Sequence, residues 1–343
     1  MTPNPQSETL ATQTSATQLA ALLTGAAIHP LAETGWIRIT GEDRVRWLNG
    51  MATNAIQDLQ PGHGNYNFFL TAQGRIQGDA TIYAEPDSEA LLLETAAAHL
   101  PSLIAHLDRF IIMDDVELVT LENRAGLLLA GKNAAALLAA IDVTTEPLEP
   151  LELAHVSWHS VSIDLIYAYS PLVPRYELWS DPATIAKLSE ALTTAGAITA
   201  DTASLEALRI LERTPRYGID IRNSETAKDL PQETAYQGSQ SRALHFSKGC
   251  YLGQEIVERI NSRGNVHRTF TAFTLEGTLP TAGTPLEVEG KQVGELTSVA
   301  SIPAPSEPTP QALGYIRREA LERHQLHAQP ITYPGGTATP IKP

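Results

Sequence analysis

The stretch FSKGCYLGQEIVERI, Phe246 to Ile260, carries the only cysteine of the chain, Cys250. A thiol attacks electrophiles or binds metal as its thiolate, and nearby positive charge favours that form. Lys248 stands close before it. In QEIVERIN, Ile256, Val257 and Ile260 recur at helical spacing, which predicts a helix starting just after the cysteine. A helix start offers unpaired amide hydrogens and partial positive charge, so both features favour thiolate. Glu255 and Glu258 oppose them. On that helix Glu255 and Arg259 can pair, for roughly a few tenths of a kcal/mol. Gly249 and Gly253 bracket the thiol and permit backbone angles that other residues resist. A structural role stays open beside the chemical one, since a free cysteine also packs as a small buried hydrophobe.

Other residues of chemical capacity read as structural. HVSWH offers His155 and His159 as a metal pair, yet no third ligand stands near, so packing or surface histidines are expected. His324 and His327 read the same way. A Cys250–His245 nucleophile–base pair lacks a defined local geometry. PGHGNYN lacks the third glycine and the strand–turn–helix setting of a dinucleotide fingerprint. Tyr66, Phe68 and Phe69 alternate on a strand and are expected in the core, with one ring lining a ligand channel as the alternative. Arginines gather at Arg209, Arg213, Arg216 and Arg222, and again at Arg259, Arg263 and Arg268. A solvated face or a local basic pocket for a small anion accounts for either group.

The elements that must position these residues show in the periodicity. WIRIT predicts a strand, and GEDRVRWLNGMATNAI a helix with Val45, Leu48 and Met51 on one face. PGHGNYNFFLTAQGRIQGDATIYAE reads as a hairpin, ALLLETA as a strand and HLPSLIAHLDRFII as a helix. A second round follows: VELVTL and AGLLLAG as strands, NAAALLAAI as a helix, VSIDLIYAY and RYELWS as strands, PATIAKLSEALTTA as a helix. DTASLEALRILERTPRYGIDI predicts a helix capped at Asp201 or Thr202 and stopped by Pro215. Beyond the cysteine, VHRTFTAFTLEG, TPLEVEGKQVGELTSVASI and ALGYIRREALE read as short strands of a small barrel or sandwich. Two successive α+β layers with mostly antiparallel sheets are expected before it.

Composition narrows the function. With 343 residues the chain has room for two or three domains, and no apolar run reaches membrane-spanning length. A net charge of −15 argues against coating nucleic acid, which takes lysine and arginine. One cysteine excludes an internal disulfide, fits a reducing cytoplasm and cannot supply the thiolates of a resident iron–sulfur cluster.

KGCYLGQEIV resembles the signature of the YgfZ family, Lys-Gly-Cys-Tyr-x-Gly-Gln-Glu, with every fixed position present: Lys248, Gly249, Cys250, Tyr251, Gly253, Gln254 and Glu255. That family is grouped with the T-protein of glycine cleavage, the folate-dependent aminomethyltransferase. The resemblance covers most of the chain. GEDRVRWLNGMATNAI is similar to the family's early segment, with Ala55 replacing its last acid. LTAQGRIQGDATIY, LRILERTPRYGIDI and GELTSVASIP…ALGYIRRE are similar to its aspartate hairpin, its helix and turn, and its C-terminal barrel.

The resemblance implies an α+β, aminomethyltransferase-like fold: three domains in a ring around a channel for tetrahydrofolate, with a C-terminal β-barrel. The expected divisions are a disordered tail over 1–18 and a folate-binding α+β domain from 19–115 plus 201–262, carrying the cysteine motif. A ferredoxin-like α+β domain over 116–200 and the barrel over 263–343 complete them. Where the transferase has paired aspartates this chain has Gly78 and Asp79, which puts the aminomethyl reaction in doubt. Asp220 replaces a glutamate and is expected to accept two hydrogen bonds from a pterin edge; Arg75 is a candidate partner for a folate carboxylate.

The function so implied is a tetrahydrofolate-binding accessory protein for assembly, maintenance or repair of iron–sulfur clusters in client enzymes, reaching tRNA modification indirectly. It is not expected to be a classical enzyme. Cys250 and Lys248 would be the working groups, with Gly249, Tyr251, Gly253, Gln254, Glu255 and Arg259 in support. No resident metal is expected beyond transient ligation by Cys250. The expected partners are iron–sulfur client proteins or assembly machinery, with no nucleic acid and no membrane, for a cytoplasmic monomer. The competing reading is a folate-dependent aminomethyl or other one-carbon transferase in which Asp79 acts alone.

Overall fold

The computed structural model describes residues 16–223, 229–234, 242–263, 266–303 and 307–342. The chain divides into two compact units, Met1–Asn67 with Asp79–Leu205, and Phe68–Gly78 with Glu206–Pro343.

In the first unit, helix α1 (16–24) leads into β1 (Ala27–Pro30), β2 (Thr34–Thr40) and α2 (Arg44–Met51). The predicted hairpin is β3 (Gly64–Leu70) and β4 (Ile76–Ala84), of which Phe68–Gly78 is counted with the second unit, followed by β5 (Leu91–Ala96), α3 (Leu100–Asp108) and β6 (Glu117–Thr120). The second round is β7 (Ala125–Ala130), α4 (Ala134–Ala140), β8 (Glu152–Trp158), β9 (Val161–Tyr167), β10 (Arg175–Ser180), α5 (Pro182–Thr194) and β11 (Ile198–Thr199). One sheet runs β3-β4-β5-β2-β6 and the other β11-β1-β7-β10-β9-β8, antiparallel except where β1 meets β11.

Side-chain alternation explains the packing. Leu127, Leu129 and Leu178 face Leu138 of α4 and Ile185, Leu188 and Leu192 of α5. On the opposite face, Ile166 and Trp179 join Trp36, Tyr83 and Leu92 of the other sheet in one buried cluster. Both faces of β7 and β10 are therefore covered, which is why AGLLLAG reads as continuously apolar. This cluster places residues 116–200, expected as a separate domain, in the same unit as 19–67 and 79–115.

The tail expected through residue 18 ends sooner. Leu19 and Leu22 of α1 are buried, and the Gln18 side chain accepts from Asp201 N and Ser204 Oγ at 3.0 Å each. Residues 1–15 lie outside the described residues.

In the second unit, α6 (Thr202–Leu211) and α7 (Gln254–Arg263) precede a closed barrel. Its strands are β12 (Arg268–Gly277), β13 (Pro285–Val288), β14 (Lys291–Ile302), β15 (Thr309–Arg317), β16 (Thr332–Tyr333) and β17 (Gly336–Pro340), in the order β12-β15-β14-β13-β16-β17. Phe273, Leu275, Leu286, Leu296 and Ile316 fill it. Two local readings are corrected. ALGYIRREALE is a strand only to Arg317; Arg318–His327 forms helix α8, supported by Arg318–Glu322 (2.9 Å) and Arg323–Glu319 (3.2 Å) pairs one turn apart. Helix α6 stops at Leu211 before Pro215 acts, and Arg213 adopts a left-handed φ of 57°.

Within the first unit's seam, Glu94 of β5 and Glu177 of β10 bring two carboxyl groups together. Tyr83 donates to Glu94 Oε2 at 3.3 Å, Arg175 to Glu177 Oε1 at 2.9 Å and Trp179 Nε1 to Glu177 Oε2 at 3.3 Å. Burial, and then the Glu177 charge, push Glu94 well above the ordinary carboxylate range. The folded chain thus keeps a proton that the unfolded chain loses near the ordinary range, so stability falls as pH rises from there through the raised value. Glu94→Gln is expected to flatten this fall in urea unfolding measured between about pH 5 and about pH 9. Parallel slopes in the two proteins would exclude it.

Candidate functional site

The cysteine segment is built on a close backbone approach inside the second unit. Gly253 has φ +85°, and a Cβ there would lie 2.6 Å from the Thr71 carbonyl oxygen and 3.2 Å from Gly74 Cα. Gly74, at φ +71°, in turn faces Ile256, whose Cβ would be 2.8 Å from any added Cβ. Only glycine satisfies both the backbone angle and the space at these positions. The Thr71–Arg75 turn is closed by Thr71 N to Arg75 O (2.8 Å), and Tyr217 Oη donates to Gln77 O at 2.6 Å. From Gly253 the chain turns into α7, whose Val257 is fully buried and whose Val257 carbonyl accepts from buried Gln232 Nε2 at 2.9 Å.

On this mount Tyr251 is 7% exposed and points inward, while Cys250 is exposed. Burial, then the Glu258 charge, raise the Tyr251 hydroxyl, so it stays protonated. Lys248 is half-buried with Nζ 5.2 Å from the centre of the Tyr251 ring, and burial lowers its ammonium to about 8. The expected Glu255–Arg259 pair forms at 2.6 Å on the exposed face of α7, and half-buried Gln254 opens the helix.

The helix begins at Gln254, as QEIVERIN predicts, and Cys250 lies just before the Leu252–Gly253 turn that leads into it. Lys248 supplies positive charge below about pH 8 and loses it above. Gly249 is less constrained than its place in the motif implies, since an added Cβ would meet nothing within 4 Å.

The carboxylates separate clearly. Asp79, in the first unit, accepts from the Tyr66 hydroxyl at 2.6 Å, and burial raises it above the ordinary range. Asp220, in the second unit, is fully buried. Its Oδ2 takes Arg209 Nη1 at 2.6 Å and Arg216 N at 3.0 Å; its Oδ1 takes Ser298 Oγ at 2.8 Å and the Thr297 hydroxyl. A carboxylate offers about four lone-pair sites, and all are used within the protein. The expectation that Asp220 grips a pterin edge is therefore not met; it ties the turn after α6 to the barrel. A bulge at Leu296–Ser298 aims Thr297 and Ser298 at it. Arg75 is half-buried on the hairpin turn.

Periodicity could not reveal the Tyr66–Asp79 pair, the Thr297–Ser298 bulge or the Glu94–Glu177 pair, since each partner is distant in sequence. The readable signal for the first was two polar residues on the two strands of one hairpin. His155 lies between Asp87 (2.6 Å) and Asp164 (3.3 Å), a packing role as expected. Among the described residues no group of three or more His, Cys, Asp or Glu side chains is placed to hold a metal. Clefts of about 420 and 490 Å³ in the first unit hold none of the residues above.

Gly253→Ala is expected to lower stability by at least about 1 kcal/mol, from its left-handed angle and the Thr71 clash. Gly249→Ala is expected to stay within about 0.5 kcal/mol. Urea unfolding compares them, and equal effects would refute the mount described here.

A family model described as the GCVT N-terminal domain matches residues 3–235. The chain is similar to a "tRNA-modifying protein YgfZ" of Colwellia psychrerythraea, 26% identical, covering 77% of this chain and 76% of that protein. It is also similar to an "iron-sulfur cluster assembly factor IBA57 homolog, mitochondrial" of Neurospora crassa, 25% identical over 74% of this chain and 55% of that protein. The chain thus spans only about half of the Neurospora protein. Its fold is that of the glycine cleavage system aminomethyltransferase T of Bartonella henselae, with a TM-score of 0.81 over 96% of this chain and 88% of that one at 17% identity. The expected fold class holds.

Proposed function

The chain belongs to the GCVT N-terminal domain family, and from that premise we propose that it is an accessory protein of iron–sulfur cluster assembly, maintenance or repair that works through Cys250. The observation that carries this reading is an exposed thiol held outward on a glycine-built turn, beside a buried tyrosine and a half-buried lysine. A core cysteine would be buried. An exposed one on a rigid mount suits brief ligation of iron in a cluster passing to a client, or thiol exchange, in a reducing compartment such as the cytoplasm. The relatives described as a tRNA-modifying protein and an iron–sulfur assembly factor support the same reading, with tRNA modification reached through client enzymes.

Tetrahydrofolate is the second half of the proposal. Asp79 fits a polar heterocycle: its carboxyl keeps a proton to higher pH than usual and is oriented by the Tyr66 hydroxyl. Asp220 does not fit, its lone pairs being occupied. Bound folate would supply a one-carbon carrier; Asp79 would orient its ring and exchange a proton with it. The Tyr66–Asp79 pair also favours the second reading, a one-carbon transferase using that carboxyl alone.

In a bacterium lacking its own YgfZ-like protein, this chain is expected to restore aconitase-type activity and Cys250→Ser to leave it at the deletion level. Equal restoration by both would make the cysteine structural. Asp79→Asn is expected to weaken tetrahydrofolate binding about tenfold by calorimetry; unchanged affinity removes Asp79 from the folate site.

A further inference from the structure

The link between α3 and β6 shows an apolar tip to solvent: Phe110 is 36% exposed, Ile112 82% and Met113 95%. Single exposed hydrophobes are ordinary on any protein. This run differs in being consecutive and firmly held. Trp47 Nε1 donates to the Phe110 carbonyl at 3.0 Å, and Phe110 N to Leu107 O at 3.0 Å. Beyond the tip, Arg46 pairs with Asp114 at 2.6 Å, Asp115 N donates to Asp43 Oδ2 at 3.0 Å and Glu42 N to Asp115 Oδ2 at 3.0 Å. The tip is ordered in advance, so burying it on a partner carries little loop-ordering cost. Met and Phe are also types enriched at interface centres.

Charge selects the occupant. Exposed Asp108, Asp115 and Glu117, with Asp114, flank the tip along the chain, against Arg109 and against Arg46, which pairs with Asp114. A second copy would set the same acidic rim against itself, and an anionic membrane surface would repel it. A protein cleft with an apolar floor and a lysine- and arginine-rich rim complements it in both respects. We propose that the Phe110–Met113 tip is the docking element by which this protein seats in such a cleft on a partner protein. The proposal rests on the accessory reading, since an accessory protein must engage others, but its test does not use cluster activity.

A photoreactive amino acid is placed at Ile112 or at Met113 of the full chain in its native host, with the same group at Leu326, which is 76% exposed on α8, as control. The expected result is a protein adduct from the first two sites and not from the third. The adducted protein, purified, should bind the wild-type chain with a Kd that rises about tenfold between low and moderate salt. Ile112→Ser with Met113→Ser, at surface positions that leave thermal unfolding unchanged, should weaken binding about tenfold. Glu117→Lys, reversing a rim charge, should weaken it several-fold at low salt. No adduct, an adduct to a second copy, binding without salt dependence, or capture by phosphatidylglycerol vesicles that the double variant abolishes would each overturn the proposal. Confirmed docking by a chain that fails to restore aconitase-type activity would refute the functional reading and leave the docking standing.

Discussion

Everything chemical in the second unit depends on how near the backbone at Gly253 comes to the Thr71 carbonyl and Gly74. Two glycines far apart in sequence let a turn and a hairpin tip touch without side chains between them. The left-handed angle at Gly253 then turns the chain into α7, sending Val257 and Tyr251 inward and leaving Cys250 outside. A side chain at either glycine would push the two segments apart, and the thiol would lose its fixed direction. The mount positions the sulfur, and burial lowers the nearby Lys248 ammonium to about 8, so that its charge is present only below about that pH.

The carboxylates show how counting hydrogen bonds sorts structural groups from available ones. Asp220 has four donors and no capacity left, and it fastens the turn after α6 to a barrel bulge. Asp229, fully buried, accepts from Arg222 N at 2.6 Å and from Arg268, and its own carbonyl takes Ile76 N at 3.1 Å. These groups hold the second unit together through polar contacts at its irregular joints, where no ladder is available. Asp79 is different: the Tyr66 hydroxyl donates to one of its oxygens, and burial raises its carboxyl above the ordinary range.

Much of the architecture was legible in the sequence. The helices at Arg44–Met51, Pro182–Thr194 and Gln254–Arg263 follow from apolar residues at helical spacing, and the hairpin from two alternating runs around TAQG. Helix α8 was missed although REALER carries strong helix formers and two charge pairs at helical spacing; the alternating run of β15 just before it masked the change of period. Helix α1 was hidden by the polar composition of its neighbours, with Leu19 and Leu22 as its buried apolar anchors.

By itself the sequence determined the motif around Cys250, most of the element types and the family, because these are written in neighbouring residues and their period. Tertiary structure decided that the lone pairs of Asp220 are filled from within the protein, why Gly253 is required and Gly249 is not, and that Ile112 and Met113 face solvent. Each of those outcomes turns on atoms brought together from distant parts of the chain, where lone pairs, steric room and burial are set by neighbours that no local pattern names.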